Sequence, residues 1–249
     1  MEKPDYGNWM QLKYLYITGV LTIFSLLLSF LYAPIIVLTV LFLGVCIFLS
    51  YTRNKLSPSG GDLQSKIQEL VLEHLNWDGK GNIIDIGCGN GPLTLKAANK
   101  YPDACLTGID YWGVMWEYSH EICKRNAKIE GVDDRLTFQK ASASILPFKD
   151  EYFDAAISNL VFHEVKDTMD KRDVIQEALR IVKKGGAFSF QDLFLDKKIY
   201  GDIGELLDTI RSWGIENVEF TSTKNSEFIP TALKLPFVIG NIGIIYGTK

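Results

Sequence analysis

Cysteine and histidine are scarce in this 249-residue chain, which has four cysteines and three histidines. No two cysteines have the C-x-x-C spacing of a zinc site, so the sequence predicts no metal centre. Isolated thiols are typical of a reducing compartment such as the cytoplasm, and they argue against a disulfide-stabilised secreted protein. The cysteines are Cys46, Cys88, Cys105 and Cys123.

Positive charge is also in short supply. From Leu56 onward the chain carries 22 basic and 28 acidic residues, a formal net charge of −6. A protein that binds nucleic acid without sequence preference needs a basic surface, because it must neutralise phosphates. The charge balance therefore predicts that nucleic acid is not a partner.

Charged side chains are absent from the 39 residues 14–52. One straight helix of that length would be about 58 Å long, roughly twice the hydrocarbon thickness of a bilayer. Pro34 lies near the middle of the run, and proline is disfavoured inside a helix. We therefore expect a two-helix transmembrane hairpin in an N-terminal region 1–56, with spans at about 14–32 and 35–51.

The residues that flank the apolar run indicate its orientation. Lys13 precedes the run, and Arg53 and Lys55 follow it, so the positive-inside rule places both ends on the cytoplasmic side. The expected protein is integral to a membrane, with the domain 57–249 facing the cytoplasm. A cleaved signal peptide fits poorly, because its apolar core is about 7–15 residues long. One long kinked span and a soluble helical cap remain as alternatives.

Strand-like and helix-like segments alternate through the rest of the chain. The predicted strands are 82–86, 105–110, 136–140, 153–158, 187–191, 218–223 and 243–246. The predicted helices are 63–75, 93–100, 116–130 and 170–182, with Gly131 ending the third. This alternation predicts an α/β fold in which helices cover both faces of a largely parallel sheet.

A glycine-rich turn follows the first predicted strand, where residues 83–91 have the sequence IIDIGCGNG. Glycines let a ligand approach the backbone, and open α/β sheets bind ligands at the carboxyl ends of strands. Dinucleotide sites have G-x-G-x-x-G spacing, whereas this turn has G-x-G-x-G with Asp85 two residues before it. A carboxylate there can pair with an ammonium group but would repel a pyrophosphate. Asp110 ends the second strand, where it can accept hydrogen bonds from both hydroxyls of a ribose.

On these residues the segment from about Leu63 to Phe194 resembles a class I S-adenosylmethionine-dependent methyltransferase of the broad ubiquinone/menaquinone and small-molecule group. Three further stretches carry the resemblance: LPF at 146–148 with FD at 153–154, SNL at 158–160, and LRIVKKGG at 179–186. The resemblance implies a Rossmann-like, seven-stranded mixed sheet with an antiparallel last strand. It also implies S-adenosyl-L-methionine as the cofactor.

The resemblance further implies which residues hold that cofactor. The family usually has an acid four residues before the leucine of LPF, against the adenine amino group, but here that position is Ser142. Serine binds adenine more weakly than an acid does, and the Ala143 backbone is the alternative contact. Tyr111 or Trp112 can stack on the adenine. The candidate cofactor residues are Asp85, Gly87, Cys88, Gly89, Gly91, Asp110, Tyr111, Ser142, Ala143 and Asn159.

Methyl transfer by direct displacement depends on positioning and desolvation more than on a catalytic group. The resemblance places the loop after the fourth strand beside the transferred methyl. On that loop His163 is a candidate base toward an acceptor oxygen or nitrogen, and Glu164 is a second candidate. The alternative is that both residues only shape the loop. The apolar segment 228–239 is either a cover over the sheet or a surface that dips toward lipid.

The expected function is membrane-anchored, S-adenosylmethionine-dependent methyl transfer to a small-molecule or lipid-like acceptor, with the bilayer as a partner. The fold alone does not specify the acceptor. Two other classes stay open, namely a non-catalytic membrane-anchored cofactor-binding module and a nucleotide-dependent oxidoreductase. A soluble methyltransferase that uses the hairpin to oligomerise is a further alternative, since the sequence does not set the oligomeric state.

Overall fold

The structure is a computed structural model that describes residues 2–113, 118–215 and 217–249. By internal contacts, residues 8–66 form one unit, and residues 2–7 together with 67–249 form the other. The second unit is therefore assembled from two stretches of chain that the first unit separates in sequence. The boundary expected between residues 56 and 57 stays a prediction.

The unit 8–66 contains an antiparallel pair of long apolar helices. They are α1 Leu12–Ser29 and α2 Ile36–Leu56, joined through a 3-10 turn at Ala33–Ile35. Pro34 lies in the first turn of that 3-10 helix, where no backbone N–H is required. Thr39 Oγ1 and Ser25 Oγ are hydrogen-bonded at 3.1 Å, so two buried hydroxyls satisfy each other between the helices. Both helices are long and apolar enough to cross a membrane, by length and composition.

A seven-stranded sheet lies at the centre of the other unit, within the part of the chain that is described. Its strands are β1 Gly81–Ile86, β2 Ala104–Asp110, β3 Leu136–Lys140, β4 Phe153–Asn159, β5 Val182–Asp192, β6 Asn217–Ser222 and β7 Gly243–Thr248. Their spatial order is β3-β2-β1-β4-β5-β7-β6. β1 to β5 pair in parallel, and β7 is antiparallel to both of its neighbours. The predicted Rossmann-like mixed sheet with an antiparallel last strand is confirmed.

Helices cover both faces of the sheet. They are α3 Leu63–Glu73, α4 Pro92–Lys100, α5 His120–Glu130, α6 Lys171–Arg180, α7 Lys197–Tyr200 and α8 Ile203–Ser212. Successive strand residues enter different cores: Ile83 lies in a cluster with Leu95 of α4, whereas Ile84 lies in a cluster with Val174 of α6. Burial on both faces explains why the central strands are nearly continuous apolar runs.

Two predicted helix boundaries were wrong. Of the helix predicted at 116–130, residues 116 and 117 lie outside the described residues, and α5 begins only at His120. It begins there because the Ser119 hydroxyl caps it, accepting a 3.1 Å hydrogen bond from Ile122 N. The helix predicted at 170–182 ends at Arg180, because Val182 already pairs with Phe153 across a β-bulge.

The segment between β6 and β7 lies at the carboxyl edge of the parallel strands. It contains a 3-10 turn at Thr231–Leu233 and a π-helix at Pro236–Gly240. Leu233 and Ile239 are buried, which favours the interpretation of this segment as a cover. Phe237 is 78% exposed, so the alternative surface that dips toward lipid has one large apolar side chain available.

Candidate functional site

The glycine-rich turn connects the end of β1 to the start of α4. Gly87, Gly89 and Gly91 have φ values of +77°, +58° and +85°, in the left-handed region that glycine adopts readily. A β-carbon on Gly87 would overlap the Val161 side chain. Gly87 N donates a 2.7 Å hydrogen bond to Ile109 O, which ties the turn to β2. The turn is therefore held in a conformation that favours glycine, and at Gly87 the Val161 side chain also excludes a β-carbon.

Asp85 lies beneath this turn, with 2% of its surface exposed. Thr94 Oγ1 on α4 donates a 2.6 Å hydrogen bond to Asp85 Oδ2. Burial raises the pKa of Asp85 to about 7, against the opposing effect of the Thr94 hydrogen bond, and the charge of Asp110 adds to the rise. A nearby cation lowers such a carboxylate pKa, so the site favours a positively charged ligand.

Asp110 ends β2 beside the turn. Its Oδ2 accepts a 2.9 Å hydrogen bond from Gly89 N, and its Oδ1 accepts a 2.7 Å hydrogen bond from Trp112 N. Burial raises the pKa of Asp110, while these main-chain hydrogen bonds oppose the rise. Each carboxylate oxygen has two acceptor positions, so both can still accept from ligand hydroxyls. Trp112 Nε1 donates to Gly89 O at 2.9 Å, which makes this indole a brace of the turn.

Asn159 ends β4, the strand that pairs with β1 on the side opposite β2. Its Oδ1 is buried and has no hydrogen-bond partner among the described residues. A buried amide oxygen without a donor is unfavourable, and a ligand N–H or O–H would satisfy it. This orphaned oxygen and the carboxylates of Asp85 and Asp110 fit a cationic cofactor that carries an amino-acid end and a ribose.

Ser142 and Ala143 follow β3, and Ala143 is buried. Ser142 Oγ donates to Asp167 Oδ2 at 2.9 Å, and Ser144 Oγ donates to the same oxygen at 2.6 Å. The Ser144 hydrogen bond lowers the pKa of Asp167, and the Ser142 hydrogen bond adds to this effect against the opposing effect of burial. Asp167 belongs to the loop after β4, so a carboxylate from elsewhere in the chain lies beside position 142.

Tyr111 and Cys88 occupy contrasting environments. The Tyr111 side chain is 66% exposed, with Lys140 Nζ at 5.2 Å from the centre of its ring. Cys88 is buried, and burial raises the pKa of its thiol. Cys88 N donates to Ile109 O at 2.8 Å. The cysteine side chain is therefore a neutral packing group, and the Cys88 backbone helps to hold the turn.

His163 and Glu164 lie in a 3-10 turn, Phe162–Glu164, soon after β4. His163 Nδ1 donates to Asp192 Oδ1 at 2.7 Å, and its Nε2 lies 3.5 Å from Glu164 Oε1. Burial lowers the pKa of His163, but Asp192 and then Glu164 outweigh burial and raise this pKa to about 10. The hydrogen bond from His163 lowers the pKa of Glu164. In the ligand-free protein the imidazole is thus a cation between two carboxylates.

Asp192, the last residue of β5, was not anticipated from the sequence. It is fully buried, and its Oδ2 accepts hydrogen bonds from Val161 N at 3.0 Å and Phe162 N at 2.8 Å. It therefore fixes the loop that carries His163 as well as the imidazole itself. One signal was available, since an acid that ends a strand beside the histidine-bearing strand shares its carboxyl edge.

Tyr200 on α7 was also missed. Its hydroxyl is buried and has no hydrogen-bond partner within the described ranges. Burial, and next the charge of Asp192, raises the pKa of Tyr200, so the phenol stays neutral. The neutral hydroxyl therefore interacts with the Asp192 carboxylate.

The residues singled out in the sequence lie at the carboxyl edge of the parallel strands. The turn, Asp85, Asp110 and Asn159 follow β1, β2 and β4, which are neighbours in the sheet. His163 and Glu164 lie farther along the same edge, toward β5. The roles of all these residues stay predictions. The described residues hold no group of three or more His, Cys, Asp or Glu side chains that could bind a metal ion.

Residues 84–190 match the family model described as "Methyltransferase domain". The 27-O-demethylrifamycin SV methyltransferase of Amycolatopsis mediterranei is 33% identical over 113 residues, 45% of this chain and 39% of that protein. The ubiquinone/menaquinone biosynthesis C-methyltransferase of Desulfotalea psychrophila is 30% identical over 133 residues, 53% of this chain and 49% of that protein. The chain thus spans about half the length of the curated relatives it matches.

Solved structures show the same fold at low sequence identity. The geranyl diphosphate C-methyltransferase from Streptomyces coelicolor, in complex with Mg²⁺, geranyl diphosphate and S-adenosyl-L-homocysteine, has a TM-score of 0.58 and 15% identity, covering 76% of this chain and 80% of that chain. The [4+2]-cyclase SpnF has a TM-score of 0.55 and 21% identity, covering 76% and 81%. Because this structure is of a cyclase, the shared fold does not determine the reaction. Residues 84–190 thus resemble a methyltransferase domain, and both named curated relatives are methyltransferases.

Proposed function

We propose that this protein is a membrane-anchored methyltransferase that uses S-adenosyl-L-methionine and acts on a small-molecule or lipid-like acceptor. One observation carries the proposal. The carboxylates of Asp85 and Asp110 flank a left-handed glycine turn with D-x-G-x-G-x-G spacing. That arrangement suits a cationic, ribose-bearing ligand, whereas a dinucleotide pyrophosphate would meet two like charges.

In this proposal each part of the cofactor has its own protein groups. Asp85 and the orphaned Asn159 oxygen receive the ammonium end, and Asp110 accepts from the ribose hydroxyls. The turn lets the cofactor approach the backbone of Gly87, Cys88, Gly89 and Gly91, whose N–H groups are bonded to Ile109 O, Asp110 Oδ2 and Cys88 O.

In this proposal Asp167 accepts a hydrogen bond from the adenine amino group, and the Ala143 backbone makes a second contact with the adenine. Ser142 and Ser144 both donate to Asp167 Oδ2, which leaves Asp167 Oδ1 to accept from the amino group. The two serines hold Asp167 in place of the acid that the sequence lacks at position 142. Tyr111, exposed beside Lys140, remains the candidate for stacking on the ring.

Bound S-adenosylmethionine supplies a methyl group on a positively charged sulfur, which needs no further activation. The chain's own residues orient the acceptor, exclude water and take a proton from the acceptor where it carries one. Asp192 binds His163 Nδ1, so an acceptor hydroxyl or amine would meet the Nε2 of the imidazole, in place of its 3.5 Å contact with Glu164 Oε1. The proton passes from the acceptor to Nε2 of the neutral imidazole, and Asp192 stabilises the resulting cation.

The protonation state of His163 sets a condition on this step. Its pKa of about 10 in the ligand-free protein keeps most of the imidazole charged at neutral pH. A positively charged ligand nearby lowers this pKa by like-charge repulsion. Cofactor binding would therefore increase the fraction of neutral imidazole that can accept a proton.

The membrane part of the proposal rests on the unit 8–66. This unit exposes large apolar side chains, including Phe24 at 59%, Phe30 at 81% and Val40 at 63%. An extended apolar surface of this kind marks a membrane or protein contact, and the basic residues Lys13 and Arg53 at its ends favour a cytoplasmic location for both termini of the hairpin. Membrane anchoring favours an apolar or amphiphilic acceptor. Relatives named for ubiquinone/menaquinone biosynthesis and as demethylmenaquinone methyltransferase support this class.

The proposal is tested by methyl transfer from S-adenosylmethionine that is tritium-labelled in the methyl group. The full chain in detergent micelles is incubated with a total lipid extract and a panel of quinones, and label is counted in the organic phase. Wild type should accumulate label with time, and Asp110→Ala should not.

Asp154→Asn is the matched control, because Asp154 binds Asn82 N and Lys183 at the amino end of β4, away from the site. It should transfer methyl at the wild-type rate. Cofactor binding without any transfer would favour the non-catalytic module. Binding of NADH in place of S-adenosylmethionine would favour the oxidoreductase.

A further inference from the structure

Residues 2–7 form a short N-terminal strap that docks on α5, far away in sequence. Asp5 N donates to Asn126 Oδ1 at 2.9 Å, and Asn126 Nδ2 donates to Asp5 O at 2.8 Å. The Tyr6 hydroxyl donates to Glu130 Oε1 at 3.0 Å, and its ring packs against the apolar core on the α4 side of the sheet. The strap is therefore fixed by polar and apolar contacts along one face of α5.

Asn126 links the strap to the glycine-rich turn. It is fully buried, and its Nδ2 also donates to Asn90 O at 3.0 Å. Both donor hydrogens of the carboxamide and its oxygen are thus used. Asn90 Oδ1 in turn accepts from Ser119 N at 3.1 Å. Such a buried network holds its members in one arrangement, because the loss of one hydrogen bond leaves a buried polar atom unpaired.

The same region of α5 holds the turn at a second point. Cys123 precedes Asn126 by three residues, on the same helix face, and its Sγ donates to Gly89 O at 2.9 Å. Tyr118 lies between the strap and the turn: a β-carbon on Gly7 would lie 3.1 Å from Tyr118 Cε1, and one on Gly89 would lie 3.4 Å from Tyr118 Cδ2. The strap is thus connected to the turn in two ways, through the hydrogen bonds of Asn126 and through the ring of Tyr118.

We infer that the N-terminal strap is a working part of the cofactor site, and that Asn126 is a positioning residue that holds the turn 87–91 in its ligand-binding conformation. The strap supplies two of the three hydrogen bonds of the Asn126 side chain, and the third holds Asn90 O in the turn. All three hydrogen bonds form only when the strap is docked. The inference takes the identity of the ligand from the proposed function. The chain also passes directly from the strap into the unit 8–66, so the apolar helices follow this segment in sequence.

The test compares Asp5→Pro with Asp5→Ala in the full chain in detergent micelles. Proline lacks the N–H that Asn126 Oδ1 accepts, whereas alanine keeps both main-chain hydrogen bonds and loses only the 3.1 Å bond from Gly7 N to Asp5 Oδ1. Asp5 is exposed, so neither change creates a cavity. We expect Asp5→Pro to raise the Kd for S-adenosylmethionine about tenfold relative to Asp5→Ala, with kcat little changed. Amide hydrogen exchange in 87–91 should be faster in Asp5→Pro.

Equal Kd values for the two variants, or equal exchange in 87–91, would overturn the inference. A lower thermal midpoint of Asp5→Pro with an unchanged Kd would show a purely structural strap and would overturn it as well. If the wild type itself does not bind S-adenosylmethionine, the proposed function fails. In that case, amide hydrogen exchange in 87–91 still tests the strap without a ligand. Faster exchange in Asp5→Pro than in Asp5→Ala would support the role of the strap in holding the turn.

Discussion

Replacing Asp85 by asparagine should stabilise the ligand-free protein at alkaline pH and weaken cofactor binding at the same time. Burial raises the pKa of Asp85 from 3.8 to about 7 in the folded protein. An unfolded chain releases this proton near the ordinary value, so the folded state loses relative stability as the pH rises from about 4 to 7. At 1.36 kcal/mol per pKa unit, the cost above pH 7 is about 4 kcal/mol. Asparagine is neutral at every pH and avoids this cost.

The same substitution removes the negative charge that the proposal assigns to the cofactor's ammonium group. A hydrogen bond to a charged group contributes about 1.5–3 kcal/mol, which corresponds to a roughly 10- to 100-fold rise in Kd. Since the wild-type carboxylate must be ionised to pair with a cation, the wild-type Kd should fall about tenfold per pH unit up to about pH 7. The Kd of the Asp85→Asn variant should be higher and insensitive to pH in this range.

The assay combines thermal unfolding at pH 6 and pH 8 with calorimetric titration of S-adenosylmethionine between those values. Asp154→Asn is the control, because it loses the 2.6 Å bond from Lys183 and should unfold at a lower temperature without a change in Kd. An Asp85→Asn variant with the wild-type Kd would refute the role of Asp85. A lower unfolding midpoint than wild type at pH 8 would refute the assigned pKa effect.

Three further predictions concern the other parts of the account. Asp192→Asn should slow methyl transfer by about 10²–10⁴-fold and move the rising limb of the pH–rate profile to lower pH, because His163 loses the charge that raises its pKa; an unchanged profile would contradict this role. Asp167→Ala should raise the Kd for S-adenosylmethionine about tenfold but leave the Kd for its inosine analogue, which lacks the adenine amino group, unaltered. Equal losses for both ligands would argue against that contact. Alkaline carbonate should leave the full chain in the membrane pellet, and release into the supernatant would exclude anchoring by the hairpin.

The sheet was predictable because local pattern and general topology rules agree. The short apolar run that became β1 ends at the predicted glycine turn, and the alternation of strands with helices indicated a largely parallel sheet. Two boundaries depended on contacts that local pattern does not contain. The cap at Ser119 sets the start of α5, and the pairing of Phe153 with Val182 turns the expected end of a helix into the start of β5.

The site was predictable where one short motif carries it, and was missed where distant loops meet. Asp85 and its turn lie within a few residues of one another in the sequence. Asp192 lies 29 residues from His163, and Asp167 lies 25 residues from Ser142, so these partners are brought together only by the strand order. The strap is the extreme case, since Asp5 and Asn126 are 121 residues apart.

Calorimetric titration of the full chain in detergent micelles with S-adenosylmethionine, beside an Asp85→Ala variant, tests the central claim most directly. The account predicts saturable binding by the wild type and its loss in the variant, while circular dichroism shows that both are folded. A folded wild type that gives no binding heat at several temperatures would contradict the account.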